Sequence, residues 1–258
     1  MDREHLIELV GTEIHAHGFE ANLNHLDVSR VTDLSKLFSF FPRFNGDISE
    51  WDVSNVTNMS FLFEGSDFNG DLSRWNTSNV ENMSYMFTRS WFNQPLGNWD
   101  VSSVVFMQSM FCDSKFNQPL ADWNVHKVRR MGFMFAGSPF NQPIGTWDVS
   151  SVSHMDGMFS SSKFNQDIRA WHLGSIYNVT EMFQESEFQQ NLADWDLSGV
   201  TFKRDLFMNS ALAKTMNHSN PTWEEVKSYW VEQRLATQWL SEDVESASTA
   251  SVIQKPRL

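Results

Sequence analysis

Residues 51–75 read WDVSNVTNMSFLFEGSDFNGDLSRW and close on a second tryptophan 24 residues after the first. The interval recurs. Trp51, Trp75, Trp99, Trp123, Trp147, Trp171 and Trp195 form one series; Phe44, Phe68, Phe92, Phe116, Phe140, Phe164 and Phe188 form a second. Phe63, Phe87, Phe111, Phe135, Phe159, Phe183 and Phe207 form a third. A constant period of this length marks a tandem array, because so small a unit buries its apolar residues only against its neighbours. With tryptophan as position 1, the unit carries valine at 3 and 6, methionine at 9 and 12, phenylalanine at 13 and 18, serine at 16, asparagine at 19 and leucine at 22. A degenerate earlier copy, LDVSRVTDLSKLF from Leu26, stands 25 residues ahead of its counterpart, with Pro42 marking the extra residue.

Spacing within the unit predicts its local structure. Trp51 and Val53 flank an outward Asp52 with period two, the mark of a short strand. Val80, Met83, Met86 and Phe87 are spaced for one face of a short helix or 3₁₀ turn. Ser78 with Glu81 three residues on reads as a capping box at its start. The expected fold is therefore an α/β repeat, a solenoid of short strand plus short helix in each 24-residue coil. One coil does not stand alone: about eight buried side chains give roughly 1.5–3 kcal/mol each, against about 1–2 kcal/mol per residue for ordering the chain. Helical caps are expected at both ends. Residues 1–25 hold an amphipathic stretch with Leu6, Ile7, Leu9, Val10 and Ile14 that ends near Gly18. Residues 26–212 are the degenerate coil plus seven full ones. Residues 213–240, opening at Pro221 and carrying Trp223, Val226, Trp230, Leu235, Trp239 and Leu240, form the C-terminal cap, and Ser/Ala-rich residues 241–258 are expected to be a flexible tail.

Composition narrows the function. An apolar content of 41% and an aromatic content of 14% supply a core and argue against a disordered chain. The 19 Lys+Arg against 32 Asp+Glu leave −13, which opposes binding of bare nucleic acid. A single cysteine, Cys112, excludes an internal disulfide framework and a cysteine-built zinc cage. No window approaches the roughly 18 apolar residues of a spanning helix, and the first twenty residues carry four net negative charges and no apolar stretch of signal-peptide length. A soluble, cytoplasmic protein with no membrane partner is the expectation.

The run WDVSNVTNMSFLFEGSDFNGDLSRW and its copies resemble the BspA-like leucine-rich-repeat family, in the tryptophan-containing variant found in bacterial, phage and protist proteins; the likeness covers about residues 26–212. It implies a right-handed leucine-rich-repeat-like solenoid used for adhesion or protein binding, and it implies no catalytic residues. Members of that family are often secreted or surface-anchored, whereas this chain shows neither an export signal nor an anchor.

In a stacked array, function is read down columns. Ser66, Ser90, Ser114, Ser138, Ser162, Ser186 and Ser210, with Asn45, Asn69, Asn93, Asn117, Asn141 and Asn165, are uniform enough to be partners for buried backbone groups. At position 2, Asp52, Asp100, Asp148 and Asp196 alternate with Asn76, Asn124 and His172; this acidic strand face docks a basic partner or closes local turns. Phe61, Tyr85 and Phe133 at position 11, with Phe106 at position 8, fall opposite the buried stripe and are expected to face outward as partner-binding anchors. His126, Lys127, Arg129 and Arg130 form a basic cluster expected to pair with neighbouring carboxylates.

No phosphate loop, dinucleotide fingerprint, metalloprotease helix, nucleophile elbow or calcium loop is present, so neither an enzyme, a cofactor nor a metal site is expected. The leading expectation is a non-enzymatic module that presents a rigid surface to a protein partner, a basic one at the acidic face. Two others remain: an acidic inhibitor of a basic nucleic-acid-handling enzyme or mimic of nucleic acid, and an adhesin or carbohydrate binder using the tryptophans as stacking platforms.

Overall fold

The computed structural model describes residues 2–252. The chain is a tandem repeat of 24-residue coils, each hydrogen-bonded to the next. Parallel β-bridges link Asp33, Asn58, Asn82, Phe106, Arg130, His154, Asn178 and Phe202 in succession, so position 8 of every coil pairs with position 8 of its neighbour. Asn22 bridges Asp47 in the same sense, which carries the stack back to residues 19–25, ahead of the expected boundary at Leu26.

The coil differs from the expected strand plus helix. Among the described residues no strand is longer than an isolated bridge, and no helix lies between His17 and Ala211 apart from a 3₁₀ turn at Phe38–Phe40. The segment from position 9 to 16 splits its amides by period two. Odd ones leave for the next coil, as Met83 N–H to Phe106 O, Tyr85 to Gln108, Phe87 to Met110 and Arg89 to Cys112. Even ones close turns within the coil, as Met86 N–H to Met83 O, Thr88 to Tyr85 and Ser90 to Phe87. An α-helix keeps its interior amides for itself; here half are exported. The switch is made by left-handed residues at positions 11 and 15, such as Phe61 (φ 60°), Tyr85 (φ 60°), Ser109 (φ 55°), Phe133 (φ 56°), Arg89 (φ 54°) and Asp113 (φ 54°). Turns reversed twice in this way give the same apolar spacing as a helix.

The core is a bundle of ladders. Successive position-13 phenylalanines from Phe63 to Phe207 stack at 5.3–6.0 Å between centroids. Those from Phe68 to Phe188 stack at 6.2–6.3 Å. The seven repeat tryptophans are each 3% exposed, and every indole N–H donates to a carbonyl of the preceding coil, from Leu23 to Ile168, at 2.9–3.3 Å. A buried indole donor is thereby satisfied once per coil. The serine and asparagine columns do the same for the backbone. Ser114 Oγ donates to Phe111 O and accepts from Phe116 N–H, while Asn Oδ1 accepts the amide of the next column member six times at 2.8–2.9 Å.

Helices close both ends. Helix α1, Arg3–His17, is capped by Asp2 and by Gly18 (φ 86°), and buries Leu6, Val10 and Ile14 against the first coil. Gly11 gives Phe41 room, since a Cβ there would lie 3.3 Å from its ring. At the other end, α2 (Ala211–Thr215) leads to α3 (Trp223–Val252), whose Trp223, Val226 and Trp230 are buried and whose Trp230 meets Phe207 edge-on at 6.0 Å. Leu235 and Trp239 project from the stack, 49% and 70% exposed. Helix α3 runs into the stretch expected to be a flexible tail because no glycine or proline interrupts it between Pro221 and Pro256; the last part of that stretch, 253–258, lies outside the described residues.

Candidate functional site

The four aspartates of the acidic column sit on turns, not on a strand. The Oδ1 atoms of Asp52, Asp100, Asp148 and Asp196 accept the backbone N–H of Ser54, Ser102, Ser150 and Ser198 at 2.9–3.1 Å. Those hydrogen bonds, with the serine hydroxyls, hold all four carboxyls below the ordinary aspartate range. Asp27, Asp47 and Asp71 do the same two residues ahead of Ser29, Ser49 and Ser73. The column repeats because each coil needs its corner closed.

The basic cluster is not neutralised as expected. His126 turns its Nδ1 to Asn124 Oδ1 at 2.8 Å, and among the described residues Lys127, Arg129 and Arg130 make no ion pair. The ion pairs along the stack lie elsewhere, as Arg74 with Glu50, Arg89 with Glu64 at 2.7 Å and Lys163 with Glu187 at 2.7 Å. The repeat tryptophans offer no stacking platform, being buried. Cys112 is half-buried beside Asp113, and burial first, then that carboxylate, pushes its thiol up to about 11, so the thiolate nucleophile is scarce at neutral pH. Among the described residues no group of three His, Cys, Asp or Glu is placed to hold a metal ion, and no helix is long and apolar enough to cross a membrane.

The aromatic departures from the repeat are brought together. Phe61, Tyr85 and Phe133 occupy one left-handed column, and Phe106 lies beside it in the column of bridges. Phe61 and Tyr85 stack at 4.5 Å with planes 2° apart, and Lys36 Nζ lies 5.2 Å from the Phe61 centroid. Phe61 and Tyr85 are half-buried by this mutual contact, whereas Phe106 and Phe133 are exposed. Two residues of the same face were not singled out from the sequence. Tyr177 at position 7 and Phe202 at position 8 are exposed and meet edge-on at 5.0 Å, and Tyr177 also lies against His154. Their signal was the one that marked Phe106, an aromatic ring at positions that otherwise hold mostly polar or charged residues.

Two recesses differ in kind. One of about 540 Å³ lies on the side of positions 21–24, among Ala121, Gly145, Thr146, Asp167, Arg169 and Asp194, and its arginine is already paired to Asp167 at 2.8 Å. The other, about 260 Å³, lies on the aromatic face and runs from Tyr85 past Phe133, with Gln108, Arg130, His154, Asp156 and Asn178 also lining it. Gln108 Oε1 is closed to solvent and lacks a hydrogen-bond partner.

A family model described as "Mycoplasma protein of unknown function, DUF285" matches residues 9–115, 88–163 and 113–223. Overlapping matches are what a tandem repeat produces, because one pattern fits the chain at successive offsets. No curated protein and no solved structure matches the chain.

Proposed function

The chain belongs to the family of the Mycoplasma protein of unknown function, DUF285, and from that premise we propose a protein-binding module that docks its partner on the aromatic face and performs no catalysis. One observation carries the proposal. Phe61, Tyr85, Phe106, Phe133, Tyr177 and Phe202 gather in adjoining columns of one face and stay half-buried or exposed with both terminal helices in place. Aromatic side chains grouped in this way are costly to leave in water and are the anchors of protein interfaces. The backbone ladder fixes their positions before any partner arrives, so association orders little of the chain. The likeness of the repeat to BspA-like binding proteins supports the same role.

Docking of a basic partner at the acidic column ranks second. Each of its carboxylates already closes a turn, which accounts for the repetition, but the outer oxygens remain in water. Two variants separate the alternatives. In a pull-down followed by partner identification, F61S/Y85S/F106S/F133S is expected to lose the captured partner while circular dichroism stays unchanged. Capture that survives it, but disappears in D52N/D100N/D148N/D196N and at high salt, transfers the function to the acidic column.

A further inference from the structure

We infer that the segment by which the partner docks is acidic and extended, with a carboxylate seated on Arg129 and Arg130 and apolar side chains to either side; the inference rests on the docking face above. Position 8 runs Phe106, Arg130, His154, Asn178, Phe202, bridged coil to coil. Tyr177, at position 7, lies against both His154 and Phe202, so positions 7 and 8 open on one face. Arg129 and Arg130 are exposed on that face, between Phe106 on one side and the Tyr177–Phe202 pair on the other.

Neither arginine meets an anion in the stack. Coils touch column by column, and the neighbours of Arg129 are Val105 and Ser153, those of Arg130 Phe106 and His154. Glu81 shares the column of Arg129 but stands two coils away, about 10 Å at the roughly 4.8 Å spacing of paired chains. Asp156 lies against Gly132, where a Cβ would be 3.1 Å from its oxygens, and among the described residues it makes no ion pair. Other cations of the stack are matched, Arg89 by Glu64 and Lys163 by Glu187, or lie over a ring, Lys36 on Phe61 and Lys115 on Trp91. Lys127, at position 5, acts on Asp100 in the acidic column and is not part of the site. Ser153 Oγ donates to Arg129 O at 3.0 Å and so accepts from His154 Nδ1 at 2.8 Å, which leaves Nε2 to a ligand beside the two guanidiniums.

Charge and shape select the guest together. A guanidinium takes a carboxylate through two parallel hydrogen bonds, and the flanking rings bury apolar side chains. Phe106 and Phe202 stand about 19 Å apart at that coil spacing, the reach of roughly six residues of extended chain. Nucleic acid would bring a charge with every residue to a chain of net −13 that offers two guanidiniums here.

The probe is a library of random dodecapeptides displayed on phage and selected on the immobilised full chain. Selected peptides are expected to carry Asp or Glu beside aromatic or aliphatic residues, against the long-range repulsion of a chain at −13. A synthetic copy of the most enriched peptide is expected to bind R129Q/R130Q roughly tenfold more weakly, the loss of one charge-assisted hydrogen bond. K163Q/R169Q, which removes cations that are already paired, is expected to bind it like the parent. All four side chains are exposed, so circular dichroism is expected to stay unchanged in both variants. Selection of basic or uncharged peptides, undiminished binding by R129Q/R130Q, an equal loss in K163Q/R169Q, or tighter binding of oligothymidylate at the same site overturns the acidic segment. Partner capture tells the two levels apart. Capture kept by R129Q/R130Q but lost by the fourfold aromatic variant overturns the acidic segment and leaves the docking face. Capture kept by both overturns the docking face.

Discussion

Positions 11 and 13 lie two residues apart in every coil, and wherever a coil follows both send their amides to it, as Tyr85 and Phe87 do to Gln108 and Met110. Their occupants could hardly differ more. Position 13 is phenylalanine in all seven full coils and 0% exposed, whereas position 11 runs Phe61, Tyr85, Ser109, Phe133, Gly157, Glu181, Asp205. The inner position is held constant because a ring of another size would break contact with the rings above and below. The outer one is free of that constraint. Three of its members are nonetheless bulky aromatics at φ of 56–60°, a conformation that costs a side-chain-bearing residue about 1–2 kcal/mol. Identity repeated down a column reports architecture, and a change within a column reports what the coil meets outside itself.

That contrast breaks first at the inner column. Phe111, stacked on Phe87 at 5.6 Å, Phe116 at 4.1 Å and Phe135 at 5.7 Å, is expected to cost about 3–5 kcal/mol when changed to alanine, measured by urea unfolding. Asn117→Ala comes next. It strips the acceptor from the Asn141 amide and from Gln142 Nε2, and is expected to cost about 1–3 kcal/mol. At the outer column F61S/Y85S removes a stacked pair, with an expected loss of about 0.5–1.5 kcal/mol beyond the area it uncovers; a loss equal to that of Phe111→Ala would erase the distinction between inner and outer positions.

The smallest effect belongs to the turn-closing aspartates and depends on pH. Their folded pKa values are lowered, so their contribution is complete above the unfolded value of about 3.9 and fades as pH falls through the folded values. D52N/D100N/D148N/D196N keeps the turn acceptor, as Asn76 does for Ser78 at 3.2 Å. Its thermal midpoint is expected to lie slightly below the parent at pH 7 and to converge with it as pH falls through the folded aspartate pKa values. A large loss at pH 7 would mean that the charge, and not the turn, fixes those corners.

Much of this was legible because a 24-residue period aligns copies of the same chain and cancels what varies. Register alone places Trp123, Phe111 and Ser114 in the interior and, on the same ground, gives Asn117 backbone partners. The coil's secondary structure was not legible in the same way. Val80, Met83, Met86 and Phe87 carry helical spacing, yet Tyr85 and Arg89 take left-handed conformations that only Gly157 in the one column and Gly65 and Gly137 in the other announce. The fate of the basic cluster was hidden as well, since sequence shows which charges are near in the chain and not which reach one another across coils.

Amino-acid order alone establishes that the chain is a tandem array, which residues line its core and which rings depart from the repeat. The folded chain adds that the coil is built of turns, that the position-2 aspartates close corners, and that Tyr85 and Phe133 line one recess with Arg130 and His154. Burial follows from each residue's chemistry repeated in register, whereas backbone direction is chosen by hydrogen bonds to a coil 24 residues away. Local spacing cannot anticipate the partner those amides will find.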